Sequence, residues 1–204
     1  MKKLFALILA VLMIASLAAC GAKEEAPSAP ASSAPAASAP AEGTAFRLGG
    51  TGPLTGGAAI YGNAVKYGAE IAVEEINAMG GIQFELKMED DTHDAEKAVN
   101  AYNALKDWGM QISLGSVTSK PAEATSAENY ADRIFALTPS ASSTATVEGK
   151  DNVFQMCFMD PNQGSASAQY ISDKALGSSI AIIYKNDDVY SVGIYNSFVA
   201  KAEE

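Results

Sequence analysis

Cysteine, histidine and positive charge are all scarce in this 204-residue chain. Two cysteines cannot build a disulfide framework or a four-ligand zinc site. A single histidine, His93, weakens any scheme built on a histidine-dependent triad. Lys and Arg total 14 against 24 Asp and Glu, a formal net charge of -10. That balance argues against a nucleic-acid partner, whose phosphates need a basic face, and against a general attraction to anionic lipid. No Gly-Lys-Ser/Thr closes a phosphate loop, and no G-x-S-x-G offers a nucleophile elbow. What remains is 48% hydrophobic and 19% charged, enough for the core of one domain or one and a half.

The first 44 residues divide into an address and a tether. Lys2 and Lys3 precede an apolar run from Leu4 to Ala19, short for a membrane span and right for a signal peptide. The run ends in Leu17-Ala18-Ala19-Cys20-Gly21. Small residues before a cysteine look like a bacterial lipobox, in which Cys20 is lipidated and becomes the new N-terminus. The competing reading is an ordinary signal peptide with a chance cysteine. With Cys20 lipidated, Cys157 has no disulfide partner, and its apolar surroundings, Val153 to Phe158, suit a buried inert thiol. Between Pro27 and Pro40 lie four of the eight prolines, interleaved with Ala and Ser. Such a stretch cannot bury a core and predicts an extended tether over residues 20–44. An anchor, a spacer and a folded part are the layout of a protein held at the outer face of a bacterial membrane.

From Ala45 onward strand and helix patterns alternate. Strands are predicted at Phe46–Gly49, Phe84–Met88, Met110–Leu114, Ile134–Leu137, Val153–Phe158 and Ser179–Tyr184. Helices are predicted over Ala59–Met79, with an apolar stripe of Ile60, Ala64, Tyr67, Ile71 and Ile76, and over Ala95–Trp108 behind the Asp94 cap. Further helices are predicted from Pro121 to Arg133, from Asn162 to Ala175, and from about Ser191 to the end. This alternation predicts an α/β fold, a parallel sheet with helices on both faces. Ligands of such sheets sit beyond the carboxyl ends of the strands, so the loops at 49–61, 89–94, 115–120, 138–143 and 185–191 are the places to inspect.

The first loop, Gly50 to Gly57, has Thr55 where a dinucleotide fingerprint needs its last glycine. A nucleotide enzyme using Asp90 or Asp91 for a ribose is therefore disfavoured against a backbone-rich cup for a small solute. The cluster Glu89-Asp90-Asp91-Thr92-His93-Asp94 could hold a metal, but a strand end, a turn and a helix cap fit it better. Ser116-Val117-Thr118-Ser119-Lys120 opens a helix, where hydroxyls and free N–H groups suit a carboxylate. Ser140-Ala141-Ser142-Ser143 adds hydroxyls after the next strand. Together these loops point to a neutral or zwitterionic solute, with no metal or cofactor.

Gly52-Pro53-Leu54-Thr55-Gly56, Tyr61-Gly62-Asn63-Ala64 and Ile76-Asn77-Ala78-Met79-Gly80-Gly81-Ile82 resemble the opening of the branched-chain amino acid type of periplasmic binding protein. Asp90-Asp91, Gly115 to Ser119, Thr138 to Ser142 and Asp188 to Ser191 continue the resemblance in order over 45–204. The resemblance implies two α/β lobes that close on a solute, here the N-terminal lobe at 45–175 and the beginning of an incomplete second lobe at 176–204. It implies no enzyme activity. It implies a receptor that delivers an amino acid, branched-chain by default, or a similar small zwitterion to the permease and ATPase of an ABC importer. Residue by residue, it places Ser116 at the ligand's carboxylate, with Thr118 and Ser119 beside it. Ser140 and Ala141 fall where backbone groups meet the ligand, and Ser142 where a hydroxyl accepts from its ammonium group. Tyr61 falls at an aromatic wall, and Tyr190 at a contact from the second lobe. Asp160-Pro161-Asn162-Gln163-Gly164 resembles a structural segment at the lobe crossing. Two departures stand out. Some members join the loops after strands two and three by a disulfide, where this chain has His93 and Ser116. Members are also about twice this folded length, which predicts a fragment with an unpaired Ile180–Tyr184 strand. A ligand-sensing ectodomain for signalling, or a non-functional fragment, are the other readings.

Overall fold

The computed structural model describes residues 45–204; the leader, Cys20 and the tether lie outside the described residues. Five strands form one parallel sheet: β1 (Phe46–Gly52), β2 (Phe84–Asp90), β3 (Ile112–Ser116), β4 (Phe135–Thr138) and β5 (Val153–Gln155). Five helices accompany them: α1 (Ala59–Ala78), α2 (Ala95–Trp108), α3 (Ser119–Asp132), α4 (Asp160–Asp173) and α5 (Val189–Ala202). The strand order is β2-β1-β3-β4-β5. The chain therefore moves one way from β1 to β2 and the other way from β2 onward. Right-handed crossovers then put α1 on one face and α2 with α3 on the other, as the doubly covered α/β reading requires.

β1 runs three residues beyond the expected Gly49, because its glycines leave room for their neighbours. A Cβ at Gly49 would lie 2.3 Å from the Met110 sulfur, on the α2 side. A Cβ at Gly50 would lie 2.7 Å from the Met88 sulfur, and one at Gly52 2.7 Å from Val117. What reads as a glycine-rich turn is thus the buried centre of the sheet. On the α2 side Tyr102, Leu105 and Met110 form the core, flanked by Trp108 and Ile134. Full burial of side chains of this size stabilises by about 1.5–3 kcal/mol each.

α1 has the expected extent, but its large apolar stripe faces outward: Ile60 is 75% exposed and Ile71 57%. The inner face is made of smaller residues, of which Gly62 alone is buried. A Cβ at Gly62 would meet the Pro53 carbonyl oxygen at 2.2 Å, so helix backbone rests directly on the loop after β1. Gly80 and Gly81 take φ of 77° and 84° and end the helix, as the sequence suggests. Phe135 and Phe154 lie on the same sheet face as α1, with ring centroids 5.5 Å apart and each 46% exposed.

The predicted strand at Ser179–Tyr184 is not formed. A strand needs a neighbour for its backbone groups, and none of the five strands pairs with this segment, so Ile180 to Tyr184 runs exposed without regular structure. β5 likewise stops at Gln155, three residues short of the expected end. α4 and α5 pack closely through glycine: a Cβ at Gly164 would lie 2.3 Å from the Ile194 carbonyl, and one at Gly193 3.0 Å from the Asp160 Cβ. None of the described helices is long and apolar enough to cross a membrane.

Candidate functional site

The reversal of chain direction lies between β1 and β3. At such a switch point the loops leaving two adjacent strands part in opposite directions and open a crevice at the carboxyl ends. A pocket of about 390 Å³ occupies that position. Ala58 and Tyr61 reach it from the start of α1, His93 from the turn after β2, Val117, Thr118 and Ser119 from the β3–α3 junction, and Ser140 from the loop after β4. Asp188 and Tyr190, at the start of α5, face it from outside the sheet. Larger hollows of about 640 and 740 Å³ follow α4 and α5. The first is walled by apolar and uncharged side chains of α4 and by Phe158 of the loop after β5, and the second receives no loop from the strand ends.

Each loop is fixed by hydrogen bonds that the sequence pattern foreshadows. The acidic run after β2 is a clip. Asp90 Oδ1 accepts from the backbone N–H groups of Leu54 at 2.8 Å and Thr92 at 2.9 Å. Some burial works against ionisation there, yet these bonds and the one from Thr55 hold the Asp90 carboxyl below its usual range. Asp91 is fully buried, and burial pushes its carboxyl up, although it accepts from the His93 N–H at 2.9 Å. Asp94 caps α2 by accepting from the Lys97 N–H at 2.9 Å. Asp90, Asp91 and Asp94 are thus engaged with backbone, and Glu89 pairs with Lys87 Nζ at 2.9 Å, an arrangement that fits a strand end, a turn and a helix cap.

Five of the eight expected ligand residues line the pocket: Tyr61, Thr118, Ser119, Ser140 and Tyr190. Tyr61 and Tyr190 are 64% and 42% exposed, free to cover a solute. Thr118 is the N-cap residue of α3, but its side chain does not cap the helix. Its Oγ1 lies 2.9 Å from His93 Nδ1 instead. The N–H groups of the first turn therefore carry no side-chain cap at the pocket, the arrangement that favours an anionic group. Ser140 lines the pocket while its hydroxyl donates to the Val117 carbonyl at 2.6 Å.

The other three, Ser116, Ala141 and Ser142, sit behind the pocket wall. Ser116 is fully buried, and its hydroxyl lies 2.6 Å from Thr51 Oγ1 and 2.8 Å from Thr125 Oγ1. That chain of hydroxyls ties β1, β3 and α3 together. Ala141 is 1% exposed, and its N–H donates to Thr138 Oγ1 at 3.2 Å. Ser142 donates its hydroxyl to Asp160 Oδ1 at 2.6 Å, and its N–H donates to Ser119 Oγ at 3.2 Å. Burial raises the Asp160 carboxyl, the Ser142 bond opposes that, and the charges of Asp188 and Glu123 add to it.

Sequence reasoning passed over His93 and Asp188, which both line the pocket. His93 was the only histidine, but its acidic neighbours drew attention to metal ligation rather than to the pocket. Asp188 lies two residues before Tyr190 in a segment already singled out. Cys157, expected to be buried, is half-buried; its Sγ donates to the Ala141 carbonyl at 3.3 Å, and burial raises the thiol's pKa.

The profile of the periplasmic binding protein family matches residues 45–204. Leu/Ile/Val-binding protein homolog 3 of Brucella melitensis is 34% identical over 157 residues, covering 75% of this chain and 42% of its own. The chain thus spans about two fifths of the length of the curated relatives it matches. Among solved structures, the leucine binding protein LivK of Thermotoga maritima superposes with a TM-score of 0.72 at 26% identity, over 78% of this chain and 45% of that one. The branched-chain amino acid transporter substrate binding protein LivJ of Streptococcus pneumoniae, in complex with isoleucine, gives 0.73 at 28% identity, over 78% and 47%.

Proposed function

The chain belongs to the periplasmic binding protein family, and from that premise we propose that it holds the solute of an extracytoplasmic receptor for an ABC importer. The solute is an amino acid, branched-chain by default, and the receptor is anchored to the membrane through lipid on Cys20. Ligand binding favours a closed arrangement, which the permease reads.

The observation that carries this reading is the pocket at the switch point. It joins uncapped helix N–H groups at Ser119 and Lys120, suited to a carboxylate, with two exposed aromatic walls, Tyr61 and Tyr190, suited to an aliphatic side chain. Ser116, Ala141 and Ser142 serve it from behind, by holding the pocket loops in place. The lipid anchor rests on the sequence around Cys20 and on the Ala/Ser/Pro spacer that follows.

A melting experiment tests the reading. The protein is produced from its complete reading frame and melted with each of the twenty standard amino acids. A ligand present at a hundred times its Kd adds about 2.7 kcal/mol to the folded state. One or a few aliphatic amino acids are expected to raise Tm by several degrees. No shift with any of the twenty would refute the amino-acid reading. Metabolic labelling with a radioactive fatty acid, lost in Cys20→Ser, tests the anchor.

A further inference from the structure

α1 turns its large apolar side chains away from its own core. At about 100° per residue, Ile60, Ala64, Tyr67 and Ile71 fall within about 60° of one another, on the side opposite the buried Gly62. Ile60 is 75% exposed, Tyr67 58% and Ile71 57%, and Ala64 is exposed between them. Among the described residues α1 packs on β1 and β2 through its other face. A contiguous stripe of this kind marks an interaction surface, and its spacing is that of a seam filled by a second helix. It lies outside the pocket, which α1 lines through Tyr61.

The charges of α1 are set against its own dipole. The N-cap residue, Ala58, offers no side-chain cap, and the first turn holds no acidic residue. The last turn holds no basic residue, and Glu74 and Glu75 stand exposed beside it, on the two borders of the stripe. Glu70, one turn earlier, lies 3.8 Å from Lys66 Nζ. Carboxylates favour a helix at its N-terminus and oppose it at its C-terminus. A helix with an open, positive N-terminus and surplus carboxylates at the other end is complementary to an antiparallel copy of itself.

We propose that the outward stripe of α1 is the interface of a two-fold homodimer, in which the α1 helices of two copies pack antiparallel. With the axis crossing α1 between Val65 and Lys66, Ile60 of one copy comes opposite Ile71 of the other, and the small Ala64 opposite the large Tyr67. The same register brings Glu74 and Glu75 of each copy to Gly57 and Gly56 of the other, beside the uncapped N-terminus. Two-fold symmetry makes every such contact twice. The paired stripe is about 17 Å long at about 1.5 Å per residue. A single helix pair of that length buries less than the roughly 800 Å² per partner of a standard interface, so the dimer is weak and reversible. The pocket stays open to solvent in it, because Tyr61 lies on another side of the helix.

Analytical ultracentrifugation tests this on the protein made from its complete reading frame. Cys20→Ser keeps lipid off, and a reducing agent keeps Cys157 from cross-linking. A monomer–dimer equilibrium with Kd between about 1 and 100 μM is expected. Tyr67→Glu places a charge in the centre of the seam and should give a monomer throughout that range. Tyr67 is exposed and does not line the pocket, so Tm should stay within about a degree. Glu74→Gln combined with Glu75→Gln separates charge complementarity from general repulsion. The chain carries a net charge of -10, so removing two carboxylates relieves repulsion between copies. The antiparallel register predicts the opposite, a dimer at least about threefold weaker, because each carboxylate loses a helix N-terminus. A tighter or unchanged dimer in that variant overturns the register. A dimer that survives Tyr67→Glu is held by another surface, such as Phe135 and Phe154, and overturns the proposal. A wild-type monomer across the range overturns it as well, whether a further part of the chain or another protein covers the stripe.

Discussion

Ser142→Ala isolates the buried link that holds the β4 loop against α4. Among the described residues the Ser142 hydroxyl is the one side-chain donor to Asp160, at 2.6 Å, and Asp160 Oδ2 lacks a partner in a residue that is 1% exposed. Removing the hydroxyl leaves both carboxylate oxygens without a side-chain donor. A buried unsatisfied group costs about 1–3 kcal/mol, more when charged, so the loss at pH 7 is expected at the upper end, about 3 kcal/mol. The pH dependence carries a definite sign. Burial raises the folded-state pKa of Asp160, so ionisation of this residue costs stability. That cost is absent below the unfolded value, grows as pH rises through the folded value, and is constant above it. The variant raises the folded value further, so its deficit is largest at neutral pH. Near pH 4, where the carboxyl is more protonated, the deficit should shrink to about 1 kcal/mol, that of a neutral hydrogen bond. Urea unfolding followed by circular dichroism at pH 4 and 7 measures both values from the midpoint and slope. Adding Asp160→Asn completes a double-mutant cycle, in which the pH dependence of the deficit should vanish. Equal deficits at the two pH values would refute the assignment of Asp160 as an ionised, Ser142-dependent group.

Three further outcomes follow from the packing. Gly62→Ala forces a methyl to within 2.2 Å of the Pro53 carbonyl oxygen, so α1 must shift; a loss of about 1–3 kcal/mol is expected in urea unfolding, and an unchanged midpoint contradicts the close approach. Ser116→Ala removes the centre of a buried hydroxyl chain and should lower stability by about 1–3 kcal/mol, while amino-acid affinity in the folded protein changes less than threefold. A large loss of affinity with normal stability would instead put Ser116 in direct ligand contact. Cys157, half-buried with a raised pKa, should react with iodoacetamide at pH 8 at least tenfold more slowly than in urea-unfolded protein, as mass spectrometry would show.

The order of strands and helices was legible from periodicity and caps: Asp94 before α2, Gly80-Gly81 after α1 and Pro121 in the first turn of α3 all mark the boundaries they promised. What misled was size and neighbourhood. The outward stripe of α1 has helical spacing, but spacing does not say which face is buried when the inner face is made of small residues. The glycines of β1 read as a turn because the side chains that fill their space come from α2, β2 and the β3–α3 junction. The Ile180–Tyr184 run has strand composition, but composition cannot supply the partner that a strand requires. At the site, hydroxyl-rich loops pointed to the strand ends where the pocket opens, while the division between pocket wall and supporting layer was invisible. Ser116 and Ser142 lie behind the surface because bonds to Thr51, Thr125 and Asp160, distant in sequence, hold them there. His93 and Asp188 are ninety-five positions apart, and only the fold brings them to 3.7 Å.

The central claim is that the switch-point pocket is where an amino acid is held. Isothermal titration of wild type and Tyr61→Ala, made from the complete reading frame, tests it most directly. Tyr61 is 64% exposed, so its truncation should leave Tm within about a degree, yet it removes a wall of the pocket. Wild type is expected to take up one equivalent of an aliphatic amino acid, and Tyr61→Ala to bind it at least about tenfold more weakly. Equal affinity in the two proteins, or no heat with any amino acid, would contradict the account.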